Sequence, residues 1–389
     1  MRKSALYILG LVVAALVALG LVVLSSASEV RSLAYYRHSW HFVMRQVVFV
    51  AVGTAGAIAV ARIDYRRWRD DWPLTVVVSA VVILALLAVF LFPAVKGSKR
   101  WIPIGVINFQ PSEFAKLACA LALAVWMDRA GWKIELFAKG ALVPAAIVAL
   151  FAAPILLEPD FGSVMVIAGI GFMLMFTAGT RILHMLPFAA AGVGVFLWEL
   201  VHNPNRMARL AAASPSVTAI LGGAPDPGAN AAAGSAAYQS GMSIYAIFRG
   251  GIFGVGLGRS MQKQNYLPEA WTDFIFAVGA EEMGLVFSLG VMALFLAFFG
   301  LSVYVAWKAA DRFGRLLALG MASIVFFQAM FNIGVVCEAF PTKGMALPFF
   351  SYGGTNMIAS LVAVGFIFSV GLHSSKTRRR PVARKVRAD

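Results

Sequence analysis

The sequence predicts an all-α, polytopic membrane protein of ten transmembrane helices, and three observations carry that prediction. The first is composition: 60% of the 389 residues are apolar and 13% are charged, against about 45–50% and about 25% in soluble domains. The second is a series of ten apolar runs, most of them near the roughly 20 residues a helix needs to cross a bilayer. The third is the distribution of basic residues between alternate connections. Together with a mean hydropathy of +0.81, these exclude a soluble enzyme, a disulfide scaffold and a disordered chain. Cys119 and Cys337 lie in or beside apolar runs without metal-ligand spacing.

Taken in order, the runs fall near 5–24, 42–61, 73–92, 113–128, 140–157, 161–180, 187–201, 283–306, 315–337 and 352–371. The fourth and seventh are short. The first follows Met-Arg-Lys and is longer than a signal-peptide core, although Ser26-Ala-Ser28 behind it leaves cleavage open. With both termini cytoplasmic, 20 of the 33 basic residues fall inside, seven of them in the tail Lys376–Arg387. That is the positive-inside pattern. The net charge of +15 is then explained by orientation and by anionic lipid headgroups, with no nucleic-acid partner. Residues 1–371 read as one membrane domain, with a large extracytoplasmic loop, about 202–282, between spans seven and eight. Residues 372–389 read as a basic cytoplasmic tail. Within the loop, 211–237 is rich in Ala, Gly, Ser and Pro and reads as a flexible strap.

Eleven of the 18 acidic residues lie on the external side, where carboxylates at membrane depth mark either function or a compensating pair. Asp273, in Trp271-Thr-Asp-Phe-Ile-Phe276, reads as a helix cap or as a general base. Glu281 and Glu282 read as interfacial carboxylates or as part of the same site. Arg100, with Lys96 and Lys99, is either an interfacial anchor or a ligand for a lipid diphosphate. In Gln110-Pro-Ser-Glu113-Phe-Ala-Lys116 the acid and base stand three apart and are placed to pair. Glu158-Pro-Asp160-Phe-Gly162 is a capped turn or a contributor of carboxylates to a divalent cation. Pro341-Thr-Lys343-Gly through Ser351-Tyr-Gly-Gly354 interrupts an apolar segment, which is tolerated at membrane depth only inside protein or along a cavity. Gly250–Gly258 lacks the Gly-Lys-Ser/Thr ending of a phosphate loop and is rejected as one.

Taken together, these blocks resemble the SEDS family (shape, elongation, division and sporulation), whose members include FtsW and RodA. The likeness runs from Arg45-Gln46 to Ser351-Tyr-Gly-Gly354. Leu267-Pro-Glu-Ala270 and Pro341-Thr-Lys-Gly344 look closer to FtsW. The resemblance implies ten spans with both termini inside the bacterial cytoplasmic membrane. It also implies a peptidoglycan glycosyltransferase that polymerises lipid II at the outer face during cell division or elongation. A class B penicillin-binding protein and other division or elongation proteins are the implied partners, besides membrane lipids. The family's essential Asp maps to Asp273, expected as general base in an inverting single displacement. Arg100, Lys116 and Lys343 are expected at the diphosphate, with Glu113, Asp160 and Ser351 also on the substrate side. A divalent cation, Mg or Mn, is expected on Asp273 with Asp160. Trp271 stands where the family usually has His. A lipid II flippase and a noncatalytic scaffold for the penicillin-binding protein are the rival readings.

Overall fold

The computed structural model describes residues 2–93, 98–105, 107–202, 230–340 and 344–374. Helices α1 (Arg2–Tyr36), α2 (His41–Arg62), α3 (Arg66–Asp70) and α4 (Trp72–Ala88) lead to a two-stranded hairpin, β1 (Ile102–Ile104) and β2 (Ile107–Phe109). Then follow α5 (Pro111–Ala130), α6 (Val143–Leu157), α7 (Phe161–Ala178), α8 (Ile182–His202) and α9 (Asn230–Gly250). The chain closes with α10 (Ile275–Trp307), α11 (Arg312–Val336) and α12 (Gly354–His373). Helix starts carry the expected local signals. Pro111 and Pro144 occupy first-turn positions, and the Asp160 and Asp311 carboxylates accept from Ser163 N and Gly314 N. Gly179 ends α7 in the left-handed conformation.

Among the described residues, eight helices are long and apolar enough to cross a membrane. The other two expected runs are also helical, but differ in character. Helix α5 carries Glu113, Lys116, Asp128 and Arg129 within its 20 residues, and the apolar part of α8 is Ile182–Gly194. Three boundaries depart from the sequence reading. Helix α1 runs on to Tyr36 instead of ending near 24, so Ser26 and Ser28 are buried inside a helix. Helix α10 begins at Ile275 and not near 283. Residues 230–237 of the expected strap belong to α9, while 211–229 lie outside the described residues, as does the tail from 375 onward. The β1–β2 hairpin is an addition to an all-α expectation, pairing Ile102 with Phe109 in antiparallel register. Too short to show as a period-2 pattern, it is held because the Thr355 hydroxyl bonds Asn108 O and Gln110 N, each at 3.2 Å.

The most enclosed helices are α11 and α12. Helix α12 packs on α2 and α11, while α11 also contacts α5, α7 and α10. The α2–α12 contact is backbone to backbone: a Cβ at Gly365 would stand 2.6 Å from Ala57 O and 2.7 Å from its Cα. Small residues at such crossings are how spanning helices gain van der Waals contact in an apolar solvent. At the end of the body that holds both the start of α1 and the end of α12, Asp311 takes bonds from Tyr65 Oη (2.7 Å) and Arg66 Nε (3.1 Å).

Gly365→Ala is expected to lower the thermal midpoint, because backbone cannot move aside as a side chain does; overpacking of this kind costs about 1–3 kcal/mol. Gly290→Ala, in a helical site with nothing within 4 Å, should leave the midpoint unchanged or raise it. Equal effects in a paired melting experiment would contradict the packing argument.

Candidate active site

Helix α10 is broken. Gly284 has φ +74° and ψ −166°, so 275–283 form a short half-helix with Asp273 just before its first turn. The backbone groups freed by the break are taken up by the glycine-rich segment. Val255 N and Gly256 N donate to Glu281 O (3.0 Å) and Glu282 O (2.9 Å), and Leu285 N and Val286 N donate to Gly251 O (2.9 Å) and Ile252 O (3.2 Å). Any Cβ at Gly254 would lie 2.1 Å from Glu282 O. This explains a glycine cluster that binds no phosphate: it brings backbone against backbone.

Glu281 and Glu282 are 0% and 1% exposed, so neither is a surface carboxylate. Glu281 accepts from the Arg249 guanidinium, the Ser260 hydroxyl and Met261 N. Glu282 accepts from Ser26 Oγ at 2.5 Å and Ser260 N at 3.3 Å. Lys263 Nζ completes the cluster, 3.0 Å from Glu29 and 3.2 Å from Ser26. The end of α1, the last turn of α9 and the loop leading to Asp273 are therefore tied to the broken helix by charge-assisted bonds.

Asp273 is half-buried. Its carbonyl accepts from Asn332 Nδ2 at 2.8 Å, and its carboxylate faces Gly344 so closely that a Cβ there would be 2.6 Å from Oδ2. The segment 344–353 lies against this turn. Ser351 Oγ donates to Thr272 O (2.5 Å) and accepts from Leu347 N (2.7 Å), and Tyr352 N donates to Trp271 O (3.0 Å). Gln46 Nε2 holds Ser351 O from α2 at 3.0 Å. Glu269 and Phe349, neither of them glycine, adopt φ of +56° and +67° on the two sides of this contact. Such residues persist where their surroundings over-determine them, and they gather at functional sites. Trp271 is packed, not solvated: the Arg31 guanidinium lies 4.4 Å over its ring and Phe42 stacks at 6.5 Å.

Behind Asp273 runs a buried polar network. Lys116 Nζ bonds Glu113 Oε1 (2.8 Å) and Gln328 Oε1 (2.7 Å), and Asn356 Nδ2 bonds Glu113 Oε2 (3.0 Å). Gln328 Nε2 reaches Ala346 O (3.0 Å) and Asn332 Nδ2 reaches Met345 O (2.6 Å). The sequence reading sets Lys116 and Glu113 beside the substrate; the structure puts them 1% and 6% exposed in the first two turns of α5, inside the body. There they brace the 344–353 segment through Gln328. Gln328 and Asn332 were not singled out from the sequence, although two amides four apart on an apolar span are a readable signal.

On the flank, Asp160 is 4% exposed and accepts from Ser163 Oγ (2.8 Å), Ser163 N (3.3 Å) and Gln110 Nε2 (3.4 Å). Arg100 donates to Glu158 O (3.1 Å) and Pro159 O (2.5 Å), so its guanidinium clamps the turn that carries Asp160. Gly162 abuts Met345, which sets this turn and Asp273 on two sides of the Gly344-Met345 segment. Lys343 and Lys96 lie outside the described residues. No group of three or more His, Cys, Asp or Glu side chains comes together among the described residues.

Both carboxyl oxygens of Glu158 are buried without a hydrogen-bond partner. Burial, and then the charge of Asp160, push this carboxyl from its ordinary 4.5 up to about 8, against the opposing charge of Arg100. Between those values the folded state holds a proton that the unfolded chain has released, so this contribution to stability, complete at low pH, is lost as pH rises toward 8. Midpoints measured from pH 5 to 8.5 should fall more steeply for the native protein than for Glu158→Gln. Parallel curves would contradict the assignment.

The profile of the FtsW/RodA/SpoVE family, described as "Cell cycle protein", matches residues 6–376. A probable peptidoglycan glycosyltransferase FtsW of Trichlorobacter lovleyi is 35% identical over 367 residues, covering 93% of this chain and 92% of its own. A chain from a structure on the coordination of polymerization and crosslinking by a peptidoglycan synthase complex superposes with a TM-score of 0.73 at 26% identity, covering 94% and 97%. The rod shape determining protein RodA of Thermus thermophilus gives 0.64 at 26%, covering 93% and 95%. Matched along nearly its whole length, the chain belongs to the FtsW/RodA/SpoVE family, the SEDS proteins.

Proposed function

We propose that this protein is a peptidoglycan glycosyltransferase that polymerises lipid II, with Asp273 as its general base. The observation that carries the reading is the Asp273 carboxylate, held at the entrance of a half-helix against a glycine and backed by a buried polar network of Glu113, Lys116, Gln328 and Asn332. In that position the carboxylate takes the proton from the acceptor sugar's 4-hydroxyl as the oxygen attacks the donor's anomeric carbon. The departing group is a lipid diphosphate, which leaves as an anion and needs no proton. One base with stabilising cations is therefore sufficient, and a single displacement inverts the anomeric centre, unlike the two-carboxylate arrangement of hydrolases. Arg100 and Lys343 are the cations assigned to the diphosphate, with Ser351 shaping the substrate side. Lys116 acts through Gln328. A divalent cation would be held by Asp273 with Asp160, the latter oriented by Ser163 and Gln110, and would neutralise developing negative charge.

The orientation places both termini in the cytoplasm and Asp273 outside, with α5 and α8 completing ten spans and the large loop lying between spans seven and eight. The setting is the bacterial cytoplasmic membrane, and the partner is a class B penicillin-binding protein that cross-links the product, in division more than in elongation. The synthase complex among the structural relatives supports that pairing. Crowding of the candidate residues at one end of the body favours polymerase over flippase, since a flippase needs substrate groups reachable from both faces.

Two variants test the mechanism in a lipid II polymerisation assay with the partner present. Asp273→Asn should fold with a near-native midpoint and lose about 10²–10⁴ in rate. Gly344→Ala meets only the movable end of a carboxylate, so it should stay folded but displace Asp273 and lose on the order of 10²-fold. Full activity in Asp273→Asn would end the base assignment, and full activity in Gly344→Ala would end the positioning argument.

A further inference from the structure

Helices α1, α2 and α12 flank an open groove of about 470 Å³ away from the site above. Its origin is the tight α2–α12 crossing at Gly365 and Ala57. Helix α1 does not follow the pair inward, and it presents Gly10, Ala14 and Ala18 to the gap, opposite Thr54, Ile58 and Phe368. Small residues on α1 facing a closed pair leave a slot that no described side chain fills. Its volume lies within the roughly 300–1,000 Å³ of pockets that bury a ligand.

The lining positions fall on regular stripes. Thr54, Ile58 and Arg62 succeed one another at four-residue spacing on α2, and Lys3 stands seven residues before Gly10 on the same face of α1. Both cations are exposed. They lie at the same end of the body, where Ser369 Oγ of α12 bonds Ile63 O at 2.6 Å. Two positive charges therefore stand on the helices that form the slot, Arg62 next to its lining residue Ala61 and Lys3 two turns beyond Gly10.

We propose that this slot binds an acyl chain of an anionic glycerophospholipid whose headgroup phosphate is held by Lys3 and Arg62. Charge complementarity selects the occupant: basic pockets between spanning helices suit anionic headgroups, whereas a zwitterionic headgroup brings no net counter-charge. In the orientation proposed above, on which the assignment of leaflet rests, the lipid comes from the cytoplasmic leaflet. Filling the slot fixes α1 against α2 and α12. Since α1 also carries Ser26 and Glu29 to the Lys263–Glu282 cluster, the lipid steadies the far end of the same helix.

The test uses the full chain, delipidated in mild detergent and titrated with phosphatidylglycerol or phosphatidylcholine of identical chains. Native mass spectrometry reads bound lipid, and the melting midpoint without lipid confirms folding. One phosphatidylglycerol should bind per chain, and Lys3→Gln with Arg62→Gln should weaken it about thirtyfold, leaving phosphatidylcholine unchanged. Ala14→Phe, which fills the slot, should abolish binding of both. Equal affinity of the native chain for the two lipids overturns the proposal, as does unchanged phosphatidylglycerol affinity in the folded double variant. Undecaprenyl phosphate displacing phosphatidylglycerol at equal concentration also overturns it, since the slot would then serve a lipid-linked carrier. None of these readouts depends on polymerisation, so their failure is distinct from failure of the glycosyltransferase reading.

Discussion

The arrangement around Asp273 depends on one interrupted hydrogen-bond ladder. Breaking α10 at Gly284 frees backbone amides and carbonyls, and each one left buried and unpaired would cost several kcal/mol. The segment after α9 supplies the missing partners from Gly251, Ile252, Val255 and Gly256. It can do so only because glycine lets two backbones meet without a Cβ between them. A continuous α10 would have no such need, but it would also have no half-helix entrance to carry Asp273. The positive end of that half-helix is a favourable place for a carboxylate.

Charge is used in two distinct ways around this break. Glu281, Glu282, Lys263, Lys116 and Glu113 are buried, with the partly buried Arg249 on Glu281, Lys263 beside Glu282 and Lys116 on Glu113; with Ser26 and Gln328 they fix relative positions of α1, α5, α9, α10 and α11. Buried pairs of this type add little net stability, yet removing one partner typically costs about 3–5 kcal/mol; they act as registers more than as glue. Asp273 differs, being half-buried and facing a glycine across a narrow gap. Glu281 and Glu282 are enclosed and Asp273 is left at an edge, with the Asn332 amide of α11 holding its backbone.

Arg100 shows how the two uses meet. Its guanidinium clamps the Glu158 and Pro159 carbonyls, and so sets the Asp160 turn against Met345. The clamp also fixes the orientation of the guanidinium itself. Trp271, sandwiched between Arg31 and Phe42, makes the neighbouring position apolar and fixed instead of titratable.

Membrane residence, the positions of most spans and the membership suggested by the ordered motifs were all legible in the residue string. Each rests on local quantities: twenty-residue apolar runs, charge sign in short connections, and blocks of fixed spacing. What the string does not contain is which distant groups satisfy which. That Lys116 is an internal brace follows only from Gln328 standing 2.7 Å away, and the role of Gly250–Gly258 follows only from the break 30 residues later. The early start of α10 follows from the same pairing, because a half-helix can form before the span only where another segment receives its open end. Burial and long-range pairing are properties of the packed chain, and at this site they separate the enclosed carboxylates that hold the structure from the half-buried Asp273.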